Sequence, residues 1–343
     1  MEKEAEIYLL NLFKKIGLYK LSEKENREIL KDKVSFILKK LQRKKFKRKI
    51  TEKTKETLKR KILNAINENK PIYFVIPFGG YKHFWNSSYP DLDWAELFNM
   101  RFMTEYVLPI LSVHQPGVII EYMSEDLIIN RMNNYPKESL EQYSKSFISL
   151  INWYKQYIPK NLQIKYFRVG NRCNKDKIID EVEKLISKKT TEFNRLSNKE
   201  KENELHRSRR SVMLDGEKDL VQLSEEDKES RIIESRLIEL AYYDVEAKPE
   251  FMGDYLWSDD HICVCFSFGL SSDNVFEDLT LASSHGSIVD FWIGKGILEY
   301  RNGRFIPKIV SKNQYIELES KIKKLKIGSF PFKNFGSIDL IIN

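Results

Sequence analysis

Three cysteines, Cys173, Cys263 and Cys265, are all that the 343 residues hold, and no two of them form a C-x-x-C pair. That scarcity excludes a disulfide framework or a zinc knuckle as the scaffold. Cys263 and Cys265 stand two apart in an apolar run, so a strand there puts both on one face. The expectation is small buried thiols in a reducing compartment, with no zinc and no disulfide. No run of about 18 apolar residues occurs, so no membrane-spanning helix is expected. The opening MEKEAE is acidic and has no hydrophobic signal region, which makes the cytoplasm the expected location. Also missing are a G-x-S-x-G nucleophile elbow, the spacing of a P-loop and any internal repeat. No motif names a reaction by itself.

What is present is apolar and aromatic mass. Hydrophobic residues make up 41% and aromatic ones 12%, enough to bury a sizeable core and to argue against general disorder. The net charge of +8 is unevenly spread. Residues 1–70 carry 22 Lys and Arg against 10 Asp and Glu, and the other 273 residues sum to −4. Basicity therefore belongs to the N-terminal segment, not to the whole surface.

In that segment Ile7, Leu9, Leu10, Phe13 and Ile16 keep a helical period up to Gly17. Ser22, with Glu25 three residues on, makes a capping box for a second helix through Ile29, Val34, Ile37 and Leu41. From Lys39 to Lys61 the chain reads KKLQRKKFKRKITEKTKETLKRK. Clustered Lys and Arg gain affinity for phosphate backbones by releasing counterions, so residues 39–61 are a candidate nucleic-acid contact. The plainer reading is a solvated helix surface. Pro71 ends this basic helical arm, residues 1–70, and opens the body, residues 71–343.

In the body IYFVIPF, VIIEYM and LQIKYFRV read as buried strands. Helices are expected from Leu92 to Leu108, started near Asp91, then from Lys137 to Tyr157 and from Lys175 to Ser187. This alternation predicts an α/β fold, a mostly parallel sheet flanked by helices in a Rossmann-like arrangement, with the N-terminal helical arm attached. A charged helical insertion spans about 188–245, with a helix over Arg231–Tyr243. HICVCFSFGLS and DLTLASS read as a hairpin or as adjacent strands. Asn302-Gly303 between two alternating runs predicts a tight hairpin.

Ligands of open α/β sheets gather at the carboxyl ends of the strands, so the loops there carry the candidate site. The first holds Gly79, Gly80, Tyr81, Lys82, His83 and Trp85, which combine backbone freedom, a cation, a titratable ring and aromatic surface. The second holds Ser124, Glu125 and Asp126, with Arg131 close behind. Adjacent carboxylates push their pKa values apart and suit acid–base work or an amine ligand, although Ser124 also fits as the cap of a short helix. The third cluster, His206 to Ser211, includes Arg207, Arg209 and Arg210, whose guanidiniums bind phosphate in bidentate forks. The first loop also fits a plain surface turn, and the third a solvated charge run. The run Ser283-Ser284-His285-Gly286-Ser287 reads as a hydrogen-bonding loop rather than a nucleophile site. Asp244, Glu246, Glu250 and His261 are too irregularly spaced to argue for a metal.

The order of these segments has a precedent. A strand ending in Pro-Phe, a loop with Lys82, Pro-Asp before a long helix with Glu96, Pro116-Gly117, and a strand ending in Ser124-Glu125-Asp126 resemble the isocyanide synthases. That family includes the microbial tyrosine isonitrile synthases and the yeast spore-wall dityrosine enzyme. DLTLASSHGSIVDFW, with Trp292, is similar to a family strand followed by a Trp-containing segment, and the likeness runs from Pro71 to Lys308. Where the family has Ser-Asp-Gly this chain has Ser-Glu-Asp, and Phe268 and Ile293 stand where histidines are expected. The resemblance implies that a substrate amine condenses with the carbonyl of a pentulose phosphate, without metal or other cofactor. It implies that Lys82 polarises the carbonyl and Glu125 or Asp126 moves protons. Arg207, Arg209 and Arg210 would then hold phosphate, with His83, Ser124, Arg131 and Trp292 lining the substrate.

The expectation is thus a metal-independent enzyme acting on an amine-bearing small molecule and a phosphorylated co-substrate. Its alternative is a nucleic-acid-associated protein that grips phosphates through residues 39–61, and neither requires a membrane.

Overall fold

A capping box at Ser22 and Glu25 sets the first turns of the chain. Around it lie α1 (Glu2–Leu12), α2 (Glu23–Lys31) and α3 (Lys33–Leu41). The single helix expected after Ser22 is broken at Asp32, which sits at φ −158°, and its carboxylate accepts the Ser35 N–H at 2.9 Å. An Asp cap satisfies a helix N-terminus better than it serves a helix interior, so two helices replace one. The structure is a computed structural model that describes residues 1–43, 46–49, 52–79, 92–132, 136–214, 223–252, 258–266, 278–283, 291–328 and 330–342. At 46–49, 52–53, 126, 129–130, 207–214, 282–283, 312–313 and 333 it describes backbone alone.

The middle of the basic run is a strand, β1 (Phe46–Lys49), followed by α4 (Glu52–Asn67). Cations on either side of β1 are engaged within the protein. Lys39 pairs with Glu28 at 2.7 Å, Lys40 with Glu25, and Arg60 with Asp259 at 2.8 Å. Arg43 donates to the Glu105 and Tyr106 carbonyls at 3.0 and 2.6 Å. Ile37, Leu41, Leu58 and Ile62 enter the same hydrophobic cluster as the strands of the body.

The body begins with β2 (Ile72–Phe78), α5 (Trp94–Leu111), β3 (Val118–Ser124), α6 (Asp126–Met132), α7 (Lys137–Tyr154) and β4 (Leu162–Arg168). Helices α8 (Lys175–Asn194), α9 (Asn198–Leu214), α10 (Glu225–Glu246) and α11 (Pro249–Met252) follow. Then come β5 (His261–Phe266), β6 (Leu279–Ser283), β7 (Lys295–Arg301), β8 (Arg304–Val310), α12 (Lys312–Leu318), β9 (Ile322–Lys326) and β10 (Ser337–Ile342).

Six strands form one sheet in the order β1-β6-β5-β2-β3-β4, parallel except for β1 at the edge. The α/β expectation is met. Every residue of β3 is buried because helices cover both faces, which is why its sequence, Glu121 and Ser124 apart, is apolar without alternation. On one face Phe74, Ile76, Val118 and Ile120 pack against α4, α5 and α7. On the other Val75, Met123, Cys263 and Cys265 meet Ile178 of α8 and Ile238 and Val245 of α10. Strands β5 and β6 are parallel neighbours, with Val264 opposite Leu279, so the hairpin reading of these two runs fails. Parallel neighbours cannot be joined by a tight turn.

A second sheet, in the order β8-β7-β10-β9, packs against α5. The Asn302-Gly303 hairpin forms as read. Both residues have positive φ, 52° and 72°, which gives the twist a two-residue turn needs. Helix α5 is capped at Asp93, two residues later than the sequence suggested, with a full capping box to Glu96. Its first turn lies so close to β7 that a Cβ on Gly296 would stand 2.4 Å from the Ala95 nitrogen. Helix α5 is buried nearly all round because it separates the two sheets. Among the described residues, no helix is long and apolar enough to cross a membrane.

Candidate active site

From β2 the strand order runs one way through β3 and β4 and the other way through β5 and β6. The reversal between β2 and β5 is the switch point at which open α/β sheets bind ligands. The Glu125 N–H donates to the Phe78 carbonyl at 2.7 Å and ties the ends of β2 and β3 together there.

Ser124, the last residue of β3, is fully buried, and its Oγ has no hydrogen-bond partner. It does not cap α6, so the capping reading fails. A buried hydroxyl without a partner is costly unless something outside the resting structure uses it.

Glu125 is half-buried, but its Oε1 is sealed from solvent and has no hydrogen-bond partner. Its carboxyl is hydrogen-bonded to that of Glu246 at the end of α10, which is buried as well. Two carboxyls in contact hold a proton between them, because both cannot ionise side by side out of water. Burial is the main reason that Glu125 is raised from 4.5 to about 7, against the lowering effect of the hydrogen bond from Glu246. Burial and then the charge of Glu125 push Glu246 well up. Glu246 keeps the proton and Glu125 changes charge near neutrality, the range in which one group both takes and gives protons. Cys265 lies close to Glu246, and its hydrogen bond to Cys263, together with burial, pushes the Cys263 thiol up. Neither thiol is in a disulfide, and both are buried.

Trp292 is half-buried at the end of β2, on the α5 and α7 face. Its ring centre lies 5.8 Å from that of Phe78 and 5.2 Å from that of Phe291. Phe78 is also ringed by Tyr122, Tyr143 and Tyr166 at 6.2 to 6.4 Å. Ser124, Glu125 and Trp292 are therefore brought together at one end of the sheet. Arg131 is held elsewhere, in an exposed ion pair with Glu183 of α8. Asp126 opens α6, and Arg207, Arg209 and Arg210 lie on α9, all four as backbone positions only. Lys82 and His83 lie outside the described residues, as does the run 284–287.

The four residues weighed as metal ligands go to separate places. Asp244 pairs with Lys189 at 2.8 Å, Glu250 is exposed, His261 stacks on Tyr73 at 4.1 Å, and Glu246 faces Glu125. Glu246 is the residue whose role sequence reasoning missed. Ending the helix at Tyr243 put Glu246 beyond it. Carried three residues further, the stripe of Ile238, Tyr242 and Val245 makes Glu246 a buried position.

Strand order and carboxyl-end cluster together define a Rossmann-like α/β protein with a proton-sharing carboxyl pair beside its switch point. The fold is similar to that of the PvcA protein from Pseudomonas aeruginosa. The TM-score is 0.60 and the sequences are 13% identical, over 90% of this chain and 99% of that one. No protein-family model and no curated protein matches the chain.

Proposed function

We propose that the protein is an isocyanide-synthase-like enzyme that condenses the amine of a small molecule with the carbonyl of a phosphorylated co-substrate. The observation that carries this reading is the buried Glu125–Glu246 pair at the carboxyl ends of a sheet whose fold is that of PvcA. The resemblance to isocyanide synthases from Pro71 to Lys308 supports it, and so does Ser124, a buried hydroxyl without a partner at the end of the strand that precedes Glu125.

Condensing an amine with a ketone makes a C=N bond and releases one water. A proton must leave the ammonium group before attack, and another must reach the departing hydroxyl oxygen. Glu125 is the group for both transfers: it takes the proton from the ammonium group and passes one to the departing hydroxyl, so it ends in the charge state in which it began, while Glu246 keeps its own proton. In this reading Lys82 polarises the carbonyl, and Arg207, Arg209 and Arg210 hold the phosphate. His83, Ser124 and Trp292 line the substrates, and Asp126 is the second carboxyl able to move protons.

The test is to incubate the full chain with a pentulose 5-phosphate and each of the twenty amino acids, then add borohydride and look for the trapped adduct by mass spectrometry. Its mass is the sum of the two substrates less water plus two hydrogens. The adduct is expected with one amino acid or a small group of them, and is expected to be lost in Glu125→Gln. Equal yields with and without protein for all twenty would overturn the reading.

A further inference from the structure

Far from the carboxyl pair, β4 forms the outer edge of the six-stranded sheet, and among the described residues it pairs with β3 alone. A groove of about 390 Å³ runs along this edge, between the end of α7, the start of β4 and Lys15. Its floor is apolar, formed by Ile158, Leu162 and Ile164. Its rim carries Lys15, Lys155, Lys160 and Lys165, all exposed. No carboxylate is among the lining residues, and among the described residues none of the four lysines makes an ion pair. Lys155 reaches only the Asn152 amide, at 3.2 Å, and Lys165 lies 6.0 Å from the Tyr73 ring centre.

The backbone adds a second feature. Val118 N–H donates to the Asn161 carbonyl at 3.0 Å, with Val118 opposite Leu162 in the register. In a parallel ladder, successive residues of a strand turn their N–H and C=O to opposite sides. Asn161 and Gln163 therefore face β3, and the N–H and C=O of Ile164 face the groove. An open strand edge is a template for another strand, and proteins that do not use such an edge cover or blunt it. Lysine is one blunting device, but here four lysines surround a cleft with an apolar floor instead of a flat edge.

We propose that this groove docks an acidic, extended segment of a partner protein, which adds a strand to β4. Main-chain hydrogen bonds to the edge would supply affinity. Alternate apolar side chains would enter over Leu162 and Ile164, and carboxylates would meet the ammonium groups of Lys15, Lys155 and Lys160. Strand pairing favours a peptide over a small anion, because a phosphate uses the lysines but not the edge.

The probe is a labelled decapeptide alternating Glu and Val, titrated with the full chain at low salt and followed by fluorescence anisotropy. Saturable binding is expected. The same peptide N-methylated at every residue keeps its charge but has no N–H left to pair with an edge. It should bind at least about tenfold more weakly. Lys155→Glu combined with Lys160→Glu, at two exposed positions, should weaken the parent peptide at least about tenfold and leave the melting temperature unchanged. Absence of peptide binding overturns the proposal, as does equal binding of the fully methylated peptide or of the double variant. Inorganic pyrophosphate that binds where the peptide does not assigns the groove to small anions and overturns it as well.

Discussion

Lys61 and Asp278 form an ion pair at 2.7 Å across 217 residues of sequence, with both side chains buried. The Asp278 carboxylate also accepts the Cys263 N–H at 2.9 Å, so α4 is fastened to the start of β5 and β6. Removing one partner of such a pair leaves a charge buried alone, at a typical cost of about 3–5 kcal/mol. Lys61→Met should lose stability of this order in urea unfolding, and adding Asp278→Asn should recover part of it. A single variant as stable as the parent would mean that the helix is not held by this pair.

The carboxyl pair makes stability depend on pH in a defined direction. Glu125 is raised from 4.5 to about 7 and Glu246 is also raised, so the folded state binds their protons more tightly than the unfolded chain does. Their contribution is fully present below about pH 4.5 and is lost as pH rises through about 7. Between pH 5 and pH 8 the parent should lose more stability than Glu125→Gln/Glu246→Gln, as read from urea midpoints. Parallel pH profiles for the two proteins would show that the carboxyls do not share a buried proton.

Ser124→Ala separates function from stability. The hydroxyl has no partner in the fold, so removing it should leave stability unchanged or raise it by up to about 1 kcal/mol. Adduct formation in the trapping assay should fall at the same time. A stability loss above about 1 kcal/mol would mean that the hydroxyl is a structural group.

Gly296→Ala should be destabilising by about 1–3 kcal/mol, because the new Cβ meets backbone of Trp94 and Ala95 at 2.4 to 2.5 Å. Gly17→Ala is the control, since nothing lies within 4 Å of its Cβ position. Thermal unfolding of the pair measures how tightly β7 is seated on α5.

Much of the fold was legible before any coordinates. The apolar runs of β2, β3 and β4, the Ser22 capping box and the Asn302-Gly303 turn are local signals, set by side-chain period and by backbone conformations that a few residue types favour. The same local chemistry marked Ser124 and Glu125 as the polar end of a buried strand. Local signals failed where competing local choices were close in energy. Asp32 was read through as helix interior, and β5 and β6 were left open to a hairpin.

Sequence by itself determined the class of the protein: alternating strands and helices, a basic N-terminal segment and polar residues after the strands. Only the tertiary structure decided that β1 joins the sheet, that Lys61 meets Asp278 and that Glu246 meets Glu125. Each of these pairings joins residues more than 100 positions apart. Their energies come from shared burial, which removes water and makes two charges or two carboxyls answer to each other. No window of sequence contains that information, because burial belongs to the packed chain and not to either residue.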